Sequence, residues 1–182
     1  MALKITGGTH RGRPIKLPKD KRIRPTSSMV REALFNIIQP RLAHIDTFLD
    51  IFSGTGIVGI EALSRGIPHV VFIEKEQKTC TTLLENLILL GLEKRGKVCC
   101  REAIYWLERG KYKALGSHIL FFMDPPYSIP TLYTQALYAL QRSDFKETLV
   151  VQHPPDWIPP SGWVMERSYP YGSTVLSFLC LS

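Results

Sequence analysis

At 182 residues, 45% of them apolar, with four cysteines, the chain is long enough for one domain with a sizeable core and needs no disulfide staples. Apolar runs such as 119–123 are far too short to cross a bilayer, and the charged N-terminus has no apolar stretch of the kind a secretory leader needs, so a soluble cytoplasmic protein is expected. The net charge of +7 is uneven: nine of the 23 Lys and Arg residues fall in 1–31 against Asp20 alone, which leaves the rest of the chain at −1.

That basic segment is the footprint of a polyanion binder, because neutralised phosphates release counterions and gain affinity. Within it, "GGTHRGRPIKLPKDKRIRP" (7–25) has three isolated apolar positions, several Gly and Pro and no sustained period, so it is expected to stay extended or mobile until it meets RNA. From Thr26 the pattern turns helical. "TSSMVREALFNII" offers a Thr/Ser cap and an apolar stripe of Met29, Val30, Ala33, Leu34, Ile37 and Ile38, with Arg31 and Glu32 off the stripe.

Beyond Pro40, short apolar runs alternate with helical patterns, the signature of a doubly wound sheet. Strands are expected at 47–52, 70–74, 97–101, 119–123, 148–152, 163–168 and 173–181, and helices near 57–65, 77–90, 103–109 and 130–142. The fold class is therefore α/β: a Rossmann-like, seven-stranded, mostly parallel sheet with helices on both faces. The short "YPYG" link makes the last two strands an antiparallel hairpin at a sheet edge. With no long linker, 1–182 reads as a single domain, of which 1–25 is a basic RNA-binding arm. Cys80, Cys99, Cys100 and Cys180 make no C-x-x-C pair and no metal-ligand spacing with histidine, so free buried thiols and no metal are expected.

Two stretches carry chemistry. In "FLDIFSGTGIVGIEALSRG" (48–66), Gly54, Gly56 and Gly59 form G-x-G-x-x-G between a strand and a helix, the pattern of a nucleoside-cofactor turn. Asp50 narrows the ligand, because a fixed negative charge there would repel a dinucleotide's pyrophosphate but suits the cationic amino-acid part of S-adenosyl-L-methionine. Glu74, 24 residues on, can accept both ribose hydroxyls, and Glu102 with Ala103 stand where an adenine edge would sit.

The second stretch is "FFMDPPYSIP" (121–130), where two prolines force a strand to stop as an acid begins. Asp124 and the Pro125 carbonyl can accept the two hydrogens of an exocyclic base amine and hold its lone pair toward a sulfonium methyl. Pro126 stiffens the loop, and Tyr127 can stack on the base, which must be splayed or flipped out to reach it. "HPPD" (153–156) has histidine in place of the acid and reads as a rigid surface turn. Trp106, Trp157 and Trp163 read as packing residues, and His44, His69 and His118 as residues near strand entries.

Taken together, "ITGGTHRGR", "RPTSSMVREALFNII", "FLDIFSGTGIVGIEALSRG", "VVFIEKE", "ENLILLG" and "DPPY" make the chain resemble the small-subunit (16S) ribosomal RNA guanine-N2 methyltransferases, within the class I S-adenosylmethionine-dependent enzymes. The resemblance covers nearly the whole length. It implies methyl transfer to the N2 amine of one guanine of 16S rRNA, alone or in the small ribosomal subunit, with S-adenosyl-L-homocysteine as product; the sequence leaves the oligomeric state open, and a monomer would suit so bulky an RNA partner. On matching positions it implies cofactor contacts at Asp50, Ser53, Gly54, Gly56, Glu74 and Glu102, and an acceptor pocket of Asp124, Pro125 and Tyr127. It implies RNA contacts at Arg11, Arg13, Arg24, Thr26 and Arg31, with Arg31 and Asn36 near the active site. Two positions depart from the family pattern: Glu102 replaces a common Asp or Asn, and Gln152 with His153 replaces an acidic residue. Methylation of adenine N6 in DNA or RNA, and a non-catalytic RNA-binding assembly role, stay open as alternatives, whereas Asp50 argues against a nicotinamide enzyme.

Overall fold

The computed structural model describes residues 3–18, 25–143 and 145–182. Two short strands, β1 (Leu3–Lys4) and β2 (Pro14–Ile15), pair antiparallel and precede helix α1 (Ser28–Ile38). The alternating part then runs β3 (Thr47–Ile51), α2 (Ile57–Ser64), β4 (His69–Glu74), α3 (Gln77–Leu90), β5 (Gly96–Cys100), α4 (Ala103–Glu108), β6 (Ile119–Met123), α5 (Thr131–Gln141) and β7 (Thr148–His153). A hairpin of β8 (Trp163–Tyr171) and β9 (Thr174–Leu181) follows.

The seven strands from β3 onward form one sheet in the order β5-β4-β3-β6-β7-β9-β8, with β9 antiparallel to both its neighbours and the other pairings parallel. Strands buried on both faces must be apolar throughout, which "TFLDI" and "ILFFM" are apart from Thr47 and Asp50. Alternation sends Phe48, Phe122 and Val150 to one core with α1, α2 and α3, and Leu49, Phe121 and Val151 to the other with α4 and α5. Since the order reverses between β3 and β6, the crevice of such a sheet opens at their carboxyl ends.

Three expectations are corrected. The basic segment is not free as far as Pro18: Ile5 and Ile15 are buried plugs, and polar ties fix the chain between them. The Thr9 amide donates to the Ser64 carbonyl (2.8 Å), while Asn86 pairs with the backbone of Lys16 through both ends of its amide (2.8 and 2.9 Å). Two apolar side chains and one buried asparagine thus replace the missing period. In α1 the buried stripe is Val30, Arg31, Leu34, Phe35 and Ile38, a rotation that leaves Met29 exposed and takes Arg31 inside. Nor are all four cysteines free, because α3 begins where β5 ends and brings Cys80 and Cys100 into a disulfide with Cα atoms 5.9 Å apart. Cys99 and Cys180 stay free and half-buried.

Arg31 is buried because Glu61, inside the apolar α2, is buried with it. Its Nε donates to Glu61 Oε2 at 3.0 Å, and its terminal nitrogens donate to the carbonyls of Thr26 and Lys4. Arg65 meets the other oxygen of Glu61 at 2.8 Å, and Thr6 donates to the same carboxylate through its amide and its hydroxyl. One acid thereby ties the N-terminal hairpin, α1 and α2 together.

Candidate active site

The turn after β3 leaves the sheet abruptly: Phe52 has φ +62°, a left-handed conformation that a bulky residue adopts only when its surroundings enforce it. Ser53 bridges the strand ends, its amide donating to the Ile73 carbonyl (3.0 Å) and its hydroxyl to the Asp50 carbonyl (2.7 Å). Gly56 has φ +72° and opens α2, where a Cβ would lie 2.2 Å from Leu83. Gly59 serves packing instead, since a Cβ there would come within 2.3 Å of the Phe72 ring and hold α2 off the sheet.

Three carboxylates gather at this edge. Asp50, 2% exposed, accepts from the Gly59 amide at 3.1 Å, and Glu74 accepts from the amides of Gly54 and Glu76, both at 2.9 Å. Asp124 follows β6 directly and accepts from the Thr26 hydroxyl at 3.1 Å. Burial raises the Asp50 carboxyl to about 8, against the Gly59 hydrogen bond and with repulsion from Asp124 and Glu74 added. Burial likewise raises Asp124 to about 7, with the Thr26 hydrogen bond opposing it. Among the described residues no ion pair involves any of the three.

Beyond Asp124, Pro125 is buried, Pro126 is exposed and Tyr127 is 38% exposed, presenting its ring to solvent. The Tyr127 hydroxyl meets Thr174 Oγ1 at 3.0 Å, and burial raises its pKa. Behind the loop the buried Tyr133 hydroxyl lies 3.3 Å from the Pro125 carbonyl and 3.0 Å from that of Gln152, sharing its proton between them. The loop is therefore held from below while its aromatic ring faces out.

Other expected site residues fall elsewhere. Glu102 caps α4, accepting from the amides of Ile104 (3.1 Å) and Tyr105 (2.7 Å), so both its oxygens serve the helix and an adenine amine would have to compete for them; Ala103 is buried beside it. Thr26 is brought to Asp124 through its hydroxyl. Arg31 has no exposed donor for RNA. Asn36 is exposed and lines a groove with Met29, Glu32 and Tyr171, about 15 Å along the helix direction from Thr26. Arg11 and Arg13 are exposed, with Arg13 donating to the Leu89 carbonyl at 3.0 Å; Arg24 lies outside the described residues. His153 is buried, not part of a surface turn: it ends β7, meets Ser177 Oγ at 2.7 Å and packs on Trp157.

Sequence reasoning missed Tyr133, Thr174 and Glu61. Only Glu61 carried a signal, as the one acid inside the otherwise apolar "IVGIEAL". Among the described residues no group of three or more His, Cys, Asp and Glu is placed to hold a metal, and no helix is long and apolar enough to cross a membrane.

Comparison with known proteins places this architecture. The family model described as Conserved hypothetical protein 95 matches residues 3–179. A Bacillus subtilis (strain 168) protein, YlbH, provisionally named an rRNA methyltransferase, is 35% identical over 127 residues, covering 69% of this chain and 67% of its own. The Ribosomal RNA small subunit methyltransferase D of Escherichia coli (strain K12) is 33% identical over 125 residues, 69% of this chain; the match spans only 60% of that relative's length. A solved Escherichia coli structure, yhhF, provisionally titled a methyltransferase, superposes with a TM-score of 0.78 at 27% identity, covering 98% of this chain and 97% of its own. The chain belongs to the Conserved hypothetical protein 95 family, the family of these rRNA methyltransferases.

Proposed function

We propose that this protein transfers the methyl group of S-adenosyl-L-methionine to the exocyclic N2 amine of a guanine in small-subunit ribosomal RNA. The observation that carries this reading is the placement of two buried acids on neighbouring strands at the switch point, Asp50 near the end of β3 before the glycine turn and Asp124 just past β6 beside the exposed Tyr127. When bound, the cofactor supplies an electrophilic methyl on a sulfonium. Asp50 would take its ammonium, Glu74 its ribose hydroxyls and the Ser53–Gly56 turn its close approach, and the uncompensated carboxylates fit that positive charge. Asp124 and the Pro125 carbonyl would orient the amine, and Tyr127 would cover the base. No residue needs to remove a proton before attack, because the amine can shed it afterwards to Asp124.

The names of the relatives support rRNA as the methylated class, and the exposed cations near the N-terminus support a polyanion partner. The reading is tested by incubating the protein with labelled S-adenosyl-L-methionine and undermethylated small-subunit particles, then digesting the RNA to nucleosides. Label in N2-methylguanosine is the expected result; label in N6-methyladenosine would overturn the acceptor assignment.

A second expectation concerns the basic segment. Because Ile5 and Ile15 are part of the core, deleting the segment would test folding as well as binding, so exposed charges are the better target. The R11Q/R13Q variant should keep its cofactor affinity and bind RNA more weakly. The slope of log affinity against log salt should shrink by about 0.7 for each single-strand phosphate that is no longer neutralised. An unchanged slope would remove these arginines from the interface.

A further inference from the structure

One polar group in the acceptor site takes no part in methyl transfer as set out above. Gln152, near the end of β7, is 7% exposed, and its Oε1 has no hydrogen-bond partner among the described residues. Buried polar atoms are paired in the great majority of cases, so this exception calls for an explanation.

Its position in the sheet follows from register. Met123 stands opposite Val151 in the parallel pair of β6 and β7, so Asp124 and Gln152 come next on adjacent strands, about 4.8 Å apart. Alternation turns both away from the Met123 and Val151 face and onto the face of Phe122 and Val150, which Asp50 shares. Gln152 is also tied to the Asp124 loop. Its side-chain amide is near enough to the Tyr127 hydroxyl to oppose the rise in that group's pKa, and its carbonyl shares the Tyr133 proton with the Pro125 carbonyl. An amide oxygen only accepts, so the unpaired atom of Gln152 is an acceptor.

A guanine held by its N2 amine presents a donor, N1–H, immediately beside that amine. An adenine held by its N6 amine presents a bare N1 lone pair in the same place. Asp124 and the Pro125 carbonyl are occupied by the two amine hydrogens, so the neighbouring N1–H needs a third acceptor.

We infer that Gln152 Oε1 accepts the guanine N1–H and thereby selects guanine over adenine, an inference that rests on the methyl-transfer reading above. A correct base pairs the orphaned oxygen, whereas adenine sets a lone pair against it. A site built to hydrogen-bond one group rejects the analogue lacking it far more strongly than shape alone would.

The test pairs two variants with two bases. Once mapping of labelled RNA fragments has located the methylated position, small-subunit particles are reconstituted with guanine or 2-aminopurine there; 2-aminopurine keeps the amine but has no N1–H. Gln152→Met removes the acceptor at similar length, and Gln152→Glu keeps it. On guanine, Q152M is expected to lower kcat/KM by about 10²-fold, with Q152E within about tenfold of the unmodified protein and cofactor affinity unchanged in both. On 2-aminopurine the unmodified protein should be slow and Q152M no slower still. Equal loss by Q152M on both bases would overturn the inference and reduce Gln152 to a support for Tyr127, as would an undiminished rate on guanine. Methylation of adenine by the unmodified protein would overturn the underlying reading, and that result would appear before any variant is made.

Discussion

Asp124→Ala should lose methyl transfer by about 10²- to 10³-fold, roughly 2–4 kcal/mol of barrier, while binding S-adenosyl-L-methionine as tightly as the unaltered protein. The carboxylate is held in place before the base arrives, by the Thr26 hydroxyl at 3.1 Å, so its contribution to the transition state needs no reorganisation. Removing it should not harm the fold. Burial raises Asp124 to about 7, well above its ordinary value of 3.8, so its stabilising contribution is full below pH 3.8 and lost as the pH climbs through 7. At pH 8 the alanine variant should be at least as stable as its parent, which separates lost chemistry from lost structure. The same shift sets a pH dependence. The base amine donates to the ionised carboxylate, so at saturating cofactor kcat/KM for RNA should fall up to tenfold per unit below about pH 7. Asp124→Asn should abolish that limb. A profile for Asp124→Asn that matches the parent's would place the titrating group elsewhere.

The second large effect lies away from the chemistry. Glu61→Ala leaves Arg31 buried and charged with no acid, and breaking such a pair costs about 3–5 kcal/mol, a large part of a domain's stability. Because Thr6 and Arg65 share the same carboxylate, the loss should spread to the N-terminal hairpin, seen as a lower denaturation midpoint and faster amide exchange at Ile5 and Gly12. Should the single variant fail to fold, Arg31→Met with Glu61→Leu removes both charges at similar volume. It should recover most of the stability, since a well-packed apolar pair can equal a buried ionic one. A double variant as unstable as the single one would deny the ion pair this role.

These residues also show where sequence reading ends. Most strands of the sheet were legible because they are short apolar runs between turn signals, and the "YPYG" link marked the edge hairpin. Arg31 was not, because its partner lies 30 positions away and a helical period cannot report what stands opposite it. The two-residue strands β1 and β2 have no period to detect. Cys80 and Cys100 meet only because one begins a helix where the other ends a strand. In the site, the acids at strand ends announced themselves by interrupting apolar runs. Glu102 has the right place for a ligand contact but the local task of a helix cap, and the two look alike in sequence.

The strand order has a consequence for how the protein is made. β9 is synthesised after β8 yet lies between β8 and β7, so the sheet cannot be completed in the order in which the chain emerges from the ribosome. Until residues 174–181 arrive, the edge of β7 stands open, and such an edge invites pairing with other chains. Thr174, which holds the Tyr127 hydroxyl, arrives with the same strand. A nascent chain would thus have its Ser53–Gly56 turn assembled while the Asp124–Tyr127 loop still lacked its anchor, and under the proposed function competence toward the substrate would come last.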